Sequence, residues 1–414
     1  MALAFKNLLK ALPPSTAAFD ANLAAGVFDP RITFTRASDA TYVNSAGNVA
    51  TATTDGPRTH YDPVTLECLG YLNEPQRTNL CLWSEDLSNA AWTKGQATIS
   101  ADAAVAPTGT TVADVIVENT AVGVFHYIAQ SFTKAAAATT YTLSGYCSSA
   151  NRDLVIYLQS SGAAGANVRV SPVSGTAASA ATFGAGWSSP SATFTSVGGG
   201  RYRFTLTATS DSLTTLVAQF ALYNAAFSYT GDGTSGVAVW GVQLEVASTA
   251  SSYIPTTGTS ATRAADNAQM TGAAFSSWFN SAQGCFVAEY AATALSGPGG
   301  VFAANDGTGN NRVDYRAGQD LAAITSGGVG LELLSLVDGA SDNKVAVSYS
   351  ATATVGSING GAPVSGAGVG AVAATQFLIG DIDSGGYQPE SLTVKRIRYF
   401  NTPKSGAECQ SLTT

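Results

Sequence analysis

Few residues in this 414-residue chain could carry catalytic chemistry. The two histidines, His60 and His126, are too few for a zinc site with two or three histidine ligands, and they leave little choice for a Ser-His-Asp triad. The motifs H-E-x-x-H and G-x-S-x-G and the phosphate-binding P-loop do not occur. His126 lies in a strand-like run with no acid beside it, a setting typical of a structural histidine. The sequence therefore predicts no catalytic residue, no metal site and no cofactor.

Acidic residues offer one further route to chemistry, because two carboxylates about 5–9 Å apart can hydrolyse a glycosidic bond. The acids of this chain, such as Glu289 and Asp314, are isolated in the sequence and are interpreted as solvated strand residues. A general acid and a general base would have to come from residues that show no sequence sign of either role. Hydrolysis of a glycan is therefore the less favoured alternative, and the chain is predicted not to be an enzyme.

Aromatic residues point to binding instead. The chain has 5 tryptophans and 16 tyrosines, whose flat faces can stack on sugars while an indole N–H or a hydroxyl forms a hydrogen bond. Trp240 lies in an alternating apolar run and is predicted to be buried. Four aromatic residues lie next to turn-like sequence and are predicted as candidate ligand-binding residues: Trp92, Trp187, Tyr223 and Tyr229. For each of these four the alternative is a place in the hydrophobic core.

The elements that would position these residues are predicted to be β-strands. In the run Arg201–Thr207, Tyr202, Phe204 and Leu206 share one face, while arginines and threonines share the other. This alternation indicates one buried and one solvated face, as in a sandwich of antiparallel sheets. Similar runs recur on both sides of residues 246–266, a segment rich in Ala, Ser and Thr.

We therefore predict an all-β protein with four parts. Residues 1–78 form an N-terminal segment of one helix and small hairpins, residues 79–247 a first antiparallel β-sandwich, residues 248–266 a linker, and residues 267–414 a second β-sandwich. The helix is indicated by an apolar stripe at helical spacing, made by Phe5, Leu8, Leu9 and Leu12. Hairpins as small as these are only marginally stable alone. The N-terminal segment is therefore predicted to pack against other subunits or partner proteins.

Composition argues against several other partners. Charged residues make up 12% of the chain, the formal net charge is −8, and no basic cluster extends beyond Lys395, Arg396 and Arg398, so nucleic-acid binding is not predicted. No stretch approaches the ~18 apolar residues of a membrane span, and Lys6 and Lys10 interrupt the run that a signal peptide needs. The five cysteines are widely spaced without a C-x-x-C pair and are interpreted as reduced thiols. Synthesis in a cytosolic compartment and release by cell lysis fit these features.

Short motifs follow one another in a fixed order through the first part of the chain. Those of residues 31–94 are Arg36-Ala-Ser-Asp-Ala-Thr-Tyr42, Pro57-Arg58 with Tyr61-Asp-Pro63, Glu74-Pro-Gln-Arg-Thr-Asn-Leu80, Trp83-Ser-Glu-Asp86 and Ala91-Trp92. Later motifs are Tyr229-Thr-Gly-Asp-Gly-Thr-Ser-Gly236, Trp240-Gly-Val-Gln-Leu-Glu245, Ser252-Tyr-Ile-Pro-Thr-Thr257 and Thr262-Arg-Ala-Ala-Asp266. In this combination the sequence resembles a family of bacteriophage head-spike or head-fibre proteins that also occurs in tail fibres.

The resemblance implies a virion structural protein with a jelly-roll domain similar to carbohydrate-binding modules and a second, concanavalin A-like lectin/glucanase domain. It also implies a place on the virion surface, attachment to other capsid or tail proteins through the N-terminal segment, assembly as a homotrimer, and adhesion to host-surface glycans. The alternatives are a decoration or assembly protein without a ligand and, less favoured, a glycan depolymerase. Glu74, Arg77 and Asn79 are interpreted as a hydrogen-bonded brace between domains rather than as a ligand site.

Overall fold

The computed structural model describes residues 17–160, 164–294, 299–319, 321–336, 342–383, 388–389 and 391–414. Within these residues the protein is almost wholly antiparallel β-structure, so the predicted all-β sandwich class is confirmed. The predicted N-terminal helix with Phe5, Leu8, Leu9 and Leu12 lies outside the described residues.

Short strands make up the first described part of the chain. They are β1 (Phe19–Asn22), β2 (Thr33–Thr35), β3 (Ala40–Val43), β4 (Val49–Ala52), β5 (Thr59–Tyr61), β6 (Cys68–Asn73) and β7 (Arg77–Asn79). A single turn of 3-10 helix, Leu23–Ala25, follows β1.

Longer strands form the first sandwich. They are β8 (Thr93–Gly95), β9 (Ala97–Val105), β10 (Thr111–Glu118), β11 (Tyr127–Thr133), β12 (Thr140–Ala150), β13 (Asp153–Ser160), β14 (Ala164–Ser171), β15 (Thr176–Ala177), β16 (Ala181–Phe183), β17 (Ser188–Ser196), β18 (Arg201–Thr209), β19 (Thr215–Tyr223) and β20 (Gly236–Glu245).

The rest of the described chain contains strands and two helices. These elements are β21 (Ala261–Arg263), β22 (Asn267–Thr271), α1 (Gly272–Ser276), β23 (Gly284–Ala294), β24 (Gly299–Asn305), β25 (Arg312–Ala317), β26 (Leu321–Ser326), β27 (Val329–Ser335), β28 (Asp342–Tyr349), β29 (Ala353–Ile358), β30 (Val364–Ala367), β31 (Gln376–Ile379), β32 (Ser391–Phe400) and α2 (Gly406–Thr413). Neither helix is long and apolar enough to cross a membrane, nor is any other helix of the described residues.

Two antiparallel sheets face each other in the first sandwich. One has the strand order β17-β18-β12-β20-β10-β9, and the other has the order β15-β14-β13-β19-β11-β8 with β16 also paired to β14. Alternate residues of each strand fill the space between the sheets, as Leu154, Ile156 and Leu158 of β13 and Phe204 and Leu206 of β18 do. Successive residues of β18 therefore point alternately into the core and to the outer face, as the sequence pattern predicts.

The second sandwich takes strands from both ends of the sequence. One sheet has the order β30-β29-β28-β23-β32-β6-β5, with β1 also paired to β32, and the other has the order β2-β22-β31-β24-β25-β26-β27. Phe19 of β1 and Tyr71 of β6 belong to the same buried cluster as Phe286, Phe377 and Tyr399 of the later strands.

This topology corrects the prediction of a separate attachment segment over residues 1–78. The described part of that segment contributes β1, β2, β5 and β6 to the second sandwich, where Phe19 and Tyr71 are buried and Phe34 is partly buried. The first sandwich is consequently an insertion between the N-terminal strands and the remainder of the second. Sequence reasoning missed this because β1, β2 and β6 pair with strands more than 230 residues away, as Thr33 of β2 does with Gln269 of β22.

A buried network of charged groups joins the places where the chain enters and leaves the first sandwich. The Nη1 atom of Arg58 lies 2.7 Å from a carboxylate oxygen of Glu74, and its Nη2 atom donates to Asp266. Arg36 donates to the other carboxylate oxygen of Asp266 at 3.0 Å. Arg263 lies 3.6 Å from Glu74. All five side chains are at most 3% exposed, so each charge depends on its partners rather than on water.

Hydrogen bonds satisfy the remaining polar atoms of Glu74 and fix the segment that follows the first sandwich. The backbone N–H and the hydroxyl of Ser252 donate to the two carboxylate oxygens of Glu74 at 2.7 and 2.6 Å. Asn79 acts in the same region, because its side-chain amide donates to the carbonyls of Val242 and Ile254. These contacts agree with the interpretation of Glu74 and Asn79 as parts of a hydrogen-bonded brace, whereas the guanidinium of Arg77 donates to the carbonyl of the neighbouring Gln76 at 3.0 Å.

The buried position of Phe19 gives a test of the corrected topology. Its ring stacks on Trp278 at a centroid distance of 4.7 Å and is 1% exposed. We expect Phe19→Ala to lower the free energy of unfolding by ~3–5 kcal/mol in urea denaturation followed by fluorescence. Val27 is 74% exposed, so Val27→Ala should change the free energy of unfolding by less than ~0.5 kcal/mol. Equal stability of the two variants would contradict the placement of β1 in the second sandwich.

The charged network predicts a pH dependence. Burial alone would raise the pKa of Glu74, but Arg263, Arg58 and the bonds from Ser252 outweigh it and hold the pKa well below its usual range. A lowered pKa in the folded state stabilises the protein above the usual value of 4.5, and this contribution is lost as the pH falls below it.

Glu74→Gln should cost ~3–5 kcal/mol at neutral pH, because it leaves buried guanidinium groups undercompensated. The free energy of unfolding of the Glu74→Gln variant should also fall less than that of the wild type when the pH is lowered from 5 to 2.5. Urea denaturation at each pH would measure both values. Glu67→Gln is the matched control, since Glu67 is 66% exposed and only 3.5 Å from Lys395; its cost should be ~0–1 kcal/mol. Similar costs for the two variants would refute the role given to the network.

Candidate functional site

Two of the four predicted binding aromatics lie in the core of the first sandwich. Trp92 is 1% exposed, and its indole N–H donates to the carbonyl of Trp83 at 3.1 Å. Trp187 is 7% exposed, and its indole N–H lies 3.2 Å from both Ser160 and Asp211. Each indole therefore has an internal hydrogen-bond partner and an apolar environment. Trp92 and Trp187 therefore occupy the hydrophobic core, which is the alternative that the sequence left open for both residues.

Tyr229 is also an internal residue. Its hydroxyl donates to the carboxylate of Glu118 at 2.5 Å, its ring contacts His126 at a centroid distance of 4.8 Å, and Arg152 pairs with the same carboxylate. His126 has no exposed surface, and one ring nitrogen lies 2.7 Å from the carbonyl of Gln96. Tyr229 therefore also takes the core alternative, and the interpretation of His126 as a structural residue agrees with these contacts.

Tyr223 is the one predicted binding aromatic that reaches the surface. It ends β19, is half-buried, and donates its hydroxyl to the carbonyl of Ala225 at 3.0 Å. The guanidinium carbon of Arg169 lies 4.7 Å from the centroid of the Tyr223 ring. Phe227 packs its edge against the same ring at 5.2 Å and stacks on Phe125 at 6.0 Å.

The phenylalanines of this group are unusually exposed. Phe125 is 40% and Phe227 45% exposed, and the neighbouring Val122 is 76% exposed. The loops that carry them are fixed to each other, because Val124 and Tyr229 exchange two backbone hydrogen bonds of 3.2 and 3.3 Å. A cluster of exposed aromatic rings on rigid backbone is a common feature of binding surfaces.

The outer face of the adjoining sheet extends the cluster. Leu154, Ile156 and Leu158 of β13 point into the core, so Tyr157 of the same strand points outward. The strand register places Tyr157 between Asn167 of β14 and Gln219 of β19. We call this surface the aromatic face; its members are Phe125, Tyr127, Tyr157, Asn167, Arg169, Phe183, Gln219, Tyr223 and Phe227.

The aromatic face combines apolar rings with neutral hydrogen-bonding groups and one cation. Burial raises the pKa of Tyr157 to about 12, so its hydroxyl keeps its proton at neutral pH. Phe183 contacts the Tyr157 ring edge-on at 6.0 Å. Asn167 and Gln219 provide amide donors and acceptors between the rings, and Arg169 is an exposed cation at one side. The combination offers flat apolar surfaces with neutral hydrogen-bonding groups between them.

Asp314 and Glu289, two of the acids considered for glycoside hydrolysis, each lie beside an arginine. Asp314 was expected to be solvated, but it has no exposed surface and lies 3.2 Å from Arg312 and 2.9 Å from Arg316. Burial raises its pKa. Glu289 lies 3.7 Å from Arg398. Glu289 and Asp314 belong to different sheets. Among the described residues, no group of three or more His, Cys, Asp or Glu side chains could hold a metal ion.

Sequence reasoning missed most of the aromatic face. Tyr157 and Arg169 could have been found from strand alternation, because each lies between two core residues of its strand. Phe125 and Phe227 carry no such signal, since their exposure depends on how two separate loops meet.

Solved structures of other proteins are similar to parts of this fold. No family model and no curated protein matches the sequence. The carbohydrate-binding module CBM40 of the Ruminococcus gnavus IT-sialidase is 15% identical, with a TM-score of 0.29 over 32% of this chain and 84% of that one. The leech intramolecular trans-sialidase is 17% identical, with a TM-score of 0.27 over 32% of this chain and 23% of that one.

A third likeness covers a larger share of the chain. Domains LG4-5 of the mouse laminin α1 chain are 10% identical, with a TM-score of 0.23 over 69% of this chain and 90% of that one. Likenesses this weak carry no argument about ligand or activity. The class of protein therefore rests on the chain's own structure, which is a two-sandwich β-protein with an exposed aromatic face.

The contrast between core and surface aromatics can be measured. We expect Trp92→Ala to lower the free energy of unfolding by ~3–5 kcal/mol, because it empties a filled position of the core. Phe227→Ala removes a side chain that is already 45% exposed and should cost less than ~1 kcal/mol. Thermal and urea denaturation of the two purified variants would check this, and a larger loss for Phe227→Ala would refute the assignment.

Proposed function

We propose that the protein binds glycans through the aromatic face and does not hydrolyse them. The observation that carries the proposal is the row of exposed and half-exposed rings, Phe125, Phe227, Tyr223 and Tyr157, on one side of the first sandwich. Sugar rings present flat patches of C–H groups that stack on such faces. Isolated exposed phenylalanines would need no explanation, but a contiguous cluster does.

The polar groups of the face fit a neutral or weakly charged saccharide. Asn167 and Gln219 flank Tyr157 in the strand register. Asn167 can donate and accept hydrogen bonds with sugar hydroxyls, and Gln219 can donate through Nε2 while its Oε1 accepts from Gln159 at 2.9 Å. Arg169 is already placed over the Tyr223 ring, which leaves its other N–H groups for a ligand oxygen. Specificity would come from these polar groups, and most of the binding free energy from the stacked rings.

The absence of a hydrolytic role is supported by the acids. Asp314 and Glu118 are both buried against arginines, where they balance charge rather than exchange protons with a substrate. A general acid and base also need to flank a bound sugar, and the aromatic face contains rings and amides at its centre.

We further propose that the chain is a surface appendage of a bacteriophage particle, acting as a homotrimer. This part rests on the motif order of residues 31–94, which resembles head-spike, head-fibre and tail-fibre proteins. Several copies per particle would make weak sites sufficient, because multivalent attachment can raise avidity by roughly 10²–10⁴. Analytical ultracentrifugation of the purified chain should give three times 41.9 kDa, and antibodies to it should label the particle surface in electron micrographs.

The test of glycan binding compares variants on one array of neutral and acidic glycans. Phe227→Ala and Tyr157→Ala should each weaken binding to the recognised glycan about three- to tenfold, since each removes one stacking ring. Tyr61→Ala is the matched control, a half-buried tyrosine of the second sandwich that lies outside the face, and it should leave binding unchanged.

Two outcomes would contradict the proposal. Wild-type binding that survives both aromatic-face substitutions would place the site elsewhere. Release of new reducing ends from a bound polysaccharide, lost on replacing one Asp or Glu, would make the protein a depolymerase instead.

A further inference from the structure

A cleft of about 580 Å³ lies between the two sandwiches, on the side of the first sandwich opposite the aromatic face. One wall is the outer face of β17 and β18. The other wall is the β3–β4 hairpin with β5, and residues 248–253 close one end. The volume is within the range of small-molecule sites, ~300–1,000 Å³. No residue of the aromatic face contributes to it.

Hydroxyl groups cover the wall from the first sandwich. Ser191, Thr193 and Thr195 alternate along β17 with residues that face the core, and Thr205 of β18 lies opposite Thr193 in the register. The hydroxyls of Thr193 and Thr205 are hydrogen-bonded at 2.8 Å, and both residues remain at least partly exposed. These hydroxyls can exchange hydrogen bonds with a polyhydroxylated ligand, while Tyr42, Val49 and Pro107 contribute apolar surface elsewhere in the cleft.

Arg203 is the cation of the cleft. It is half-buried, donates to the carbonyl of Ser251 at 2.5 Å and lies with its guanidinium carbon 5.6 Å from the Tyr146 ring centroid. Its Nε atom is buried without a hydrogen-bond partner, and no carboxylate of the described residues forms an ion pair with it. The nearby Glu245 is fully buried and engaged with Ser251 and Gln243.

This setting differs from that of the other buried arginines. Arg36 and Arg58 are paired with carboxylates, as is Arg152. The carboxylate of Glu245 attracts Arg203 electrostatically but forms no direct ion pair with it. A partly desolvated guanidinium without a directly bonded counter-ion is costly, so its position at the wall of an open cleft favours an anionic group as a further partner.

His60 contributes a neutral donor on the opposite wall. Its Nδ1 atom accepts the backbone N–H of Val43 at 3.2 Å, which leaves the proton of the neutral ring on Nε2. Burial lowers the pKa of His60 to about 4, so the ring is neutral at physiological pH. Asp62, at the same side, is engaged with the backbone N–H groups of Val64 and Thr65.

We propose that the cleft is a second binding site, for a saccharide that carries a carboxylate. The carboxylate pairs with Arg203, and the sugar hydroxyls bond to the Ser191–Thr195 hydroxyls and to Nε2 of His60. The site is separate from the aromatic face and uses both sandwiches, so a bound ligand bridges them.

The experiment uses isothermal titration calorimetry of the full chain with two probes of equal length, an oligogalacturonate and its fully methyl-esterified form. The wild type should bind the acid at least about tenfold more tightly than the ester, because esterification removes the charge that Arg203 recognises. Arg203→Gln should lower the affinity for the acid to that for the ester, and Arg203→Lys should retain part of the difference.

Matched variants separate this site from the aromatic face. Arg169→Gln removes the cation of the aromatic face and Phe227→Ala removes a ring there; both should leave the affinity for the oligogalacturonate unchanged. Arg203→Gln should in turn leave array binding through the aromatic face unchanged, with its fold verified by circular dichroism. Absence of oligogalacturonate binding to the wild type, equal affinity for acid and ester, or unchanged binding by Arg203→Gln would each overturn the proposal.

Discussion

The architecture depends on one buried set of charges between the sandwiches. Arg58 contacts both Glu74 and Asp266, and Arg36 and Arg263 complete their neutralisation. Because each carboxylate is shared between arginines from separate parts of the chain, none of the groups can move without leaving a desolvated charge unpaired. The network therefore fixes the relative position of the N-terminal hairpins, β6 and the segment that returns from the first sandwich.

This constraint explains how an inserted domain is held. The chain enters the first sandwich after β7 and leaves it before β21, and these two strands pair with each other. Ser252 and Asn79 tie the same exit and entry points to the network and to β20. The first sandwich is thus anchored at both ends by backbone pairing and by charge, rather than tethered by a free linker.

The same arrangement gives the two sheets of the first sandwich different environments. The sheet that contains β13, β14 and β19 faces away from the second sandwich, and its outer side carries exposed aromatic rings. The sheet that contains β17 and β18 faces the β3–β4 hairpin across the cleft. The first sandwich consequently presents an aromatic surface on one sheet and a row of hydroxyl groups on the other.

The sequence by itself determined the all-β class and the inward face of strands such as β18, because side-chain alternation has a fixed period of two. It also indicated that Glu74 and Asn79 brace domains. It could not determine that β1 and β6 belong to the second sandwich, or that Trp92 is buried, because turn-like neighbours do not reveal which distant strands cover a side chain. Those features were decided by the tertiary structure, since burial and charge pairing arise between residues far apart in the chain.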